Sequence, residues 1–175
     1  MSDAQRLFLG FALSDQEGES ILKLQKRLGA PGKTVEKANL HMTLAFLGQT
    51  SQRQCQRLEA ALEGITMPKF EQRLDSLVHW RGAGVVCLWG QATDSGLTDL
   101  YHGCQSLCQN LGLHQSEHDF NPHITLFRKA KQFSIPEWQP EPVILRPERL
   151  NLYLSNSTPA GVRYEVLQSW PLGIT

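Results

Sequence analysis

The sequence carries no surplus of either charge: 17 Lys+Arg balance 17 Asp+Glu over 175 residues. That balance excludes the broad basic surface behind non-specific nucleic-acid binding, though not recognition of one nucleotide or one RNA end. Cysteine is scarce as well. Four residues in a chain of this length are too few for a disulfide scaffold and point to a reducing, cytoplasmic setting. Long apolar runs are missing, and no stretch approaches the roughly 18 residues that span a bilayer. The early run Leu7 to Leu13 follows only Arg6 and precedes no A-x-A-like cleavage site, so a secretory signal is not expected. There is no low-complexity segment and no Gly-rich phosphate loop followed by Lys-Ser/Thr. What remains is 41% hydrophobic and 19% charged, the composition of an ordinary globular domain.

Residues 6–13 (RLFLGFAL) read as a buried strand. Ser14-Asp15-Gln16-Glu17 fits a capping box, and Ile21, Leu24 and Leu28 follow at helical spacing before Gly29 and Pro31. Residues 39–48 (NLHMTLAFLG) alternate: Leu40, Met42, Leu44 and Phe46 share one parity, and His41, Thr43 and Ala45 the other. Period two means a strand with an apolar face and a His/Thr face. A second helix is expected from Ser51 to Gly64, with Cys55, Leu58 and Leu62 inward. Residues 70–80 and 85–89 read as strands joined through Arg81-Gly82-Ala83-Gly84. Thr93-Asp94-Ser95 caps a third helix with the stripe Leu97, Leu100, Tyr101, Cys104, Leu107, Cys108 and Leu111, closed by Gly112. A strand over 123–127 comes next. The proline-rich connector (Pro136, Pro140, Pro142, Pro147) reads as irregular, and strands over 149–155 and 162–168 flank Pro159-Ala160-Gly161. Strand–helix–strand thus occurs twice with extra strands attached, which fits an α+β protein of two pseudo-symmetric lobes.

Two segments match: His41-Met42-Thr43-Leu44 and His123-Ile124-Thr125-Leu126, each H-x-T-[apolar] on an expected strand. On a strand, residues i and i+2 point the same way, so each His shares a face with its Thr. If the two strands lie side by side, two imidazoles and two hydroxyls meet in one cleft. Such a set suits phosphate-ester chemistry. One His accepts a proton from water while the other, protonated, gives one to the leaving oxygen. The Thr hydroxyls donate to non-bridging oxygens. The scheme calls for no metal and no cofactor.

The paired motifs resemble those of the two-histidine (2H) phosphoesterase superfamily. The longer strings NLHMTLAFLG and NPHITLFR are similar to its bacterial RNA 2′,3′-cyclic phosphodiesterase, or 2′-5′ RNA ligase, branch. The resemblance implies a bilobal fold with mainly antiparallel sheets around a central cleft, with residues 1–175 as one domain of two intertwined lobes. It implies metal-free hydrolysis of an RNA 2′,3′-cyclic phosphate to a 2′-phosphomonoester, with possible 2′-5′ ligation. By that pattern His41 is the proton donor, His123 the proton acceptor, and Thr43 and Thr125 hold the phosphate. It also suggests Arg128 as a further phosphate contact. Strand parity opposes this, since 128 is even and His123 and Thr125 are odd, so Arg128 reaches the cleft only if the strand ends or bulges there.

Phe8, Phe11 and Tyr164 are candidates for stacking on a base; core packing competes for at least one of the phenylalanines and for Tyr164. Cys104, Cys108, His114 and His118 have a C-x3-C-x5-H-x3-H spacing, but the central loop is far shorter than a zinc finger's roughly 12 residues, and both cysteines lie on an apolar stripe. The expected partners are RNA ends or nucleotides bearing a 2′,3′-cyclic phosphate. No membrane and no obligate protein partner are expected, and the default state is a monomer. The alternative is a module that holds a nucleotide or RNA end in the same cleft without turnover.

Overall fold

The computed structural model describes residues 4–116 and 119–173. Its elements, in chain order, are β1 (Gln5–Ala12), α1 (Asp15–Leu28), β2 (Lys33–Thr34), a 3-10 turn (Lys37–Asn39), β3 (His41–Thr50), α2 (Gln52–Leu62), β4 (Gln72–Leu74), β5 (Ser76–Trp80), β6 (Val85–Trp89), α3 (Ser95–Asn110), β7 (His123–Arg128), β8 (Val143–Leu145), β9 (Arg149–Thr158) and β10 (Gly161–Pro171). Local rules set the helix starts. Ser14 accepts from the Glu17 amide at 3.1 Å while Glu17 Oε1 accepts from the Ser14 amide at 2.9 Å. Ser51 and Gln54 form the same reciprocal pair at the head of α2, so two orphan donors are satisfied in each case. Asp94 caps α3 by accepting from the Gly96 amide.

The main sheet runs β10-β9-β1-β3-β7-β6-β5, with β2 added to β7. All its pairings are antiparallel. β1-α1-β3 and β6-α3-β7 are the two strand–helix–strand units, and their closing strands, β3 and β7, lie next to each other. A single registered pair, Met42↔Ile124, joins these two motif strands. The core beneath gathers Leu7, Leu9, Met42, Leu88, Ile124 and Leu126, all fully buried. Gly10 is required where β1 passes the first motif, since a Cβ there would stand 2.8 Å from the Met42 carbonyl oxygen.

Strict alternation fails in both motif strands. Opposite β1, β3 places two residues against one at Leu44 and again at Leu47, which makes each a β-bulge. Parity reverses after Leu44. Leu47 turns into the core, and Phe46, expected on the apolar face, turns out and is 41% exposed. The proline-rich connector also differs from expectation: it contains β8, which pairs with β4 in a separate two-stranded sheet. The last two strands are longer than expected because one hairpin register runs from Gly161↔Thr158 to Pro171↔Arg149.

Candidate active site

Each motif histidine is held in the same way. His41 Nδ1 donates to the Asn39 carbonyl at 2.8 Å, and His123 Nδ1 donates to the Asn121 carbonyl at 2.7 Å. A carbonyl only accepts, so Nδ1 carries the hydrogen in both rings and Nε2 is the working nitrogen. His41 Nε2 lies 3.0 Å from Thr43 Oγ1. The Met42↔Ile124 register sets Thr43 beside His123 and His41 beside Thr125, so the four side chains form one quartet across the seam between β3 and β7. Behind Thr125, the Cys87 thiol donates weakly to Oγ1 at 3.7 Å.

Aromatic rings wall off both imidazoles. Phe8, Tyr153 and Tyr164 surround His41 with centroids at 4.9, 6.0 and 5.0 Å. Trp80 stands edge-on to His123 at 4.8 Å. Burial therefore dominates their titration. His41 is pushed down to about 4, with the Asn39 carbonyl opposing and the Arg128 and His123 charges adding to the depression. His123 is also lowered, first by burial and then by Arg128, against the Asn121 carbonyl.

Arg128 reaches the cleft through a bulge. Cys87 pairs with Thr125 and Val86 with Phe127, which leaves Leu126 as the extra residue. Leu126 and Phe127 both turn into the core, and Arg128 joins the face of His123 and Thr125. Gln25 of α1 supports this bulge from below, its Nε2 donating to the Leu126 and Val35 carbonyls at 3.0 Å each. Lys129, at φ 53, then ends the strand. The guanidinium donates to the Tyr164 hydroxyl at 3.3 Å.

The stacking candidates separate. Phe11 is fully buried, edge-on to Phe70 at 5.0 Å, so it belongs to the core and is unavailable to a base. Phe8 is 4% exposed and stacked on Tyr153; it is buried behind His41. Tyr164 is the candidate that borders the cleft.

A pocket of about 610 Å³ opens beside Thr43 and His123, walled by Phe46, Trp80, Tyr101, Phe120 and His114. Tyr101 and Phe120 are stacked at 4.5 Å. Sequence reading missed this wall. Phe46 was masked by the bulge, and Trp80 and Phe120 come from elements remote in sequence. The Asn that opens both motif strings, two residues before each His, is the local sequence signal of this scaffold. Asn39 Nδ2 donates to the Val162 carbonyl, and Asn121 Oδ1 accepts from Trp89 Nε1.

Cys104 and Cys108 are buried on α3, with thiols pushed up by burial to about 12 and about 11; both pack as small hydrophobes. His118 lies outside the described residues. Among the described residues, no group of three or more His, Cys, Asp or Glu is placed to hold a metal ion, and no helix is long and apolar enough to cross a membrane.

Two imidazoles, each with a threonine two residues on, meet across one seam between adjacent strands, the arrangement of a two-histidine phosphoesterase. The profile of the family described as LigT like Phosphoesterase matches residues 12–87. The RNA 2′,3′-cyclic phosphodiesterase of Escherichia coli is 32% identical, covering 98% of this chain and 99% of that protein. The protein of the same name from Methanocaldococcus jannaschii is 26% identical over 94% and 99%. The crystal structure of E. coli LigT complexed with 3′-AMP superposes with a TM-score of 0.89 at 32% identity, covering 97% of this chain and 98% of that one. The chain belongs to the LigT-like phosphoesterase family of the two-histidine superfamily.

Proposed function

We propose that this protein hydrolyses 2′,3′-cyclic phosphate ends of RNA to 2′-phosphomonoesters. The observation that carries the reading is the shared tie of both Nδ1 atoms to backbone carbonyls, which makes Nε2 the proton-exchanging nitrogen of each ring, that of His41 beside Thr43 Oγ1. His123 Nε2 takes a proton from water, and the water oxygen bonds to phosphorus. The P–O3′ bond breaks, and His41 Nε2 delivers its proton to O3′. The products are a 2′-phosphate and a 3′-hydroxyl, and solvent restores the two protonation states. Thr43, Thr125 and Arg128 hold the non-bridging oxygens, where charge gathers in the transition state. The buried His41 gains its proton as the anionic substrate settles beside it, because a nearby negative charge raises an imidazole. The pocket beside His123 offers Phe46 and Trp80 as surfaces for a base.

The relatives' names support the substrate class. A 5′-hydroxyl in place of water would give 2′-5′ joining by the same route. No step needs a metal, and the protein is expected to act as a monomer in the cytoplasm.

The test is an oligonucleotide ending in a 2′,3′-cyclic phosphate, incubated with excess EDTA and followed by phosphorus NMR. Conversion to a 2′-phosphate is the expected result. A 3′-phosphate product would overturn the assignment of the leaving oxygen. Tight binding without turnover would make the cleft a holding site.

A further inference from the structure

A small hollow of about 110 Å³ lies beside His41, lined by its neighbours Asn39 and Tyr164 and sharing no residue with the aromatic pocket. Three cations line it, Lys33, Arg128 and Arg163, with Glu36 as the one carboxylate on its wall. Lys33 and Arg128 are direct partners across β2 and β7. Like charges placed directly opposite in an antiparallel pair repel. The ion pairs among the described residues involve Lys37, Arg73 and Arg146, so none neutralises these three cations. Lys33 Nζ stands 3.1 Å from where a Cβ would sit on Gly161, whose φ is +121°. The absent side chain lets the ammonium reach from β2 to the β9–β10 turn, so the hollow draws cations from both halves of the sheet. Arg128 links it to the quartet through Tyr164, whose hydroxyl accepts from the guanidinium and whose ring stands edge-on to His41.

We propose that this hollow is a second anion subsite, which takes the phosphodiester on the 5′ side of the terminal nucleoside while the cyclic phosphate occupies the quartet. On an RNA with a 2′,3′-cyclic end, every other phosphate lies on the 5′ side, so a second anion of the same strand can only be one of these. Lys33 and Arg163 supply charge-assisted donors for it, while Arg128, which holds the cyclic phosphate, stands between the two anions. Occupancy removes the repulsion between Lys33 and Arg128. The subsite rests on the cyclic-end reading of the quartet and adds a length preference: an end carrying at least one further phosphate binds better than a lone nucleoside cyclic phosphate.

The experiment compares kcat/KM for adenosine 2′,3′-cyclic phosphate and for diadenylate ending in a 2′,3′-cyclic phosphate, at low and high salt, for the wild type, Lys33→Gln and Arg163→Gln. The wild type is expected to favour the dinucleotide by about tenfold through KM, the order given by one or two charge-assisted hydrogen bonds. Both variants should cut that advantage to about threefold or less, flatten its salt dependence, and leave the mononucleoside rate within about twofold. Equal kcat/KM for the two substrates in the wild type would overturn the subsite. So would an advantage that survives both substitutions, or an equal loss on both substrates. Turnover of neither substrate would instead overturn the cyclic-end reading, and the subsite with it.

Discussion

Phe46 and Arg128 occupy equivalent places, each five residues after the histidine of its own motif and each just past a bulge. The pseudo-symmetry that makes the quartet even-handed therefore makes its two ends chemically unlike. One end offers a ring, exposed in the pocket beside His123. The other offers a guanidinium whose charge is felt at both imidazoles.

Replacing these two residues should give separable defects. Phe46→Ala removes a stacking surface, and KM for nucleoside cyclic phosphates should rise by the equivalent of about 1–3 kcal/mol with little change in kcat. Arg128→Ala removes a cation that depresses both histidines, so NMR titration of the free protein should show both imidazoles moving up. A loss of kcat alone in Phe46→Ala would take that ring out of the site.

His41→Ala and His123→Ala should each cost about 10²–10⁴ in kcat, the range for one general acid or base. A double substitution should cost less than the product of the singles, because the two groups act in one transfer. Single-turnover rates on the cyclic-phosphate oligonucleotide measure this. A loss of only a few-fold in either single variant contradicts the proton-transfer roles.

The activity profile against pH should be bell-shaped and should differ between kcat/KM and kcat. In the free protein His41 is pushed down to about 4, whereas in the complex the substrate's negative charge raises it. The basic limb of kcat, which reports the complex, should lie at higher pH than that of kcat/KM, which reports the free protein. Coincident basic limbs would mean that substrate does not bring the proton.

The same depression sets the acid stability. A histidine with a folded value of about 4 and an unfolded one near 6.5 is neutral in the native state. Its contribution is complete above about pH 6.5 and is lost as pH falls toward 4, up to about 3 kcal/mol in all. Urea denaturation at several pH values should show this slope, and His41→Gln should reduce it.

Much of this architecture was legible wherever a rule works over a few residues. The serines at 14 and 51 bond within one helical turn, so their positions survive any tertiary arrangement. The H-x-T pairs could be placed on strands because His and Thr two apart share a face on any regular ladder. The failures mark where distant partners decide. Period-two reading assumes an unbroken ladder, and the bulges at Leu44 and Leu126 are created by register against β1 and β6. That is why period two puts Phe46 inward and why parity opposes Arg128 in the cleft. Phe11 lay on an apolar strand with nothing local to separate it from Phe8; only the neighbour Phe70 shows that it faces the core. The short strand β8 exists because β4 lies beside it, and no pattern within its three residues could have revealed that.

Gln25 tests whether the second bulge matters. Its side-chain amide is buried and serves the Leu126 and Val35 carbonyls. Gln25→Met keeps the volume and removes the donor, and it should destabilise the fold by about 1–3 kcal/mol. KM for the cyclic phosphate should rise too as Arg128 loses its orientation. Unchanged stability in thermal or urea unfolding would show that the bulge holds without it.

Met42 and Ile124 form the one registered backbone pair between the two motif strands, and both side chains are fully buried. The placing of the two motif histidines relative to each other therefore rests on one backbone pair in the interior, where the two half-sheets meet. The ladders on either side fix each histidine within its own lobe. The two apolar side chains beneath the seam close it from the core side. The meeting of the two motifs thus hangs on a single rung, and a slip of one residue there would carry one motif's His and Thr to the other face of the sheet.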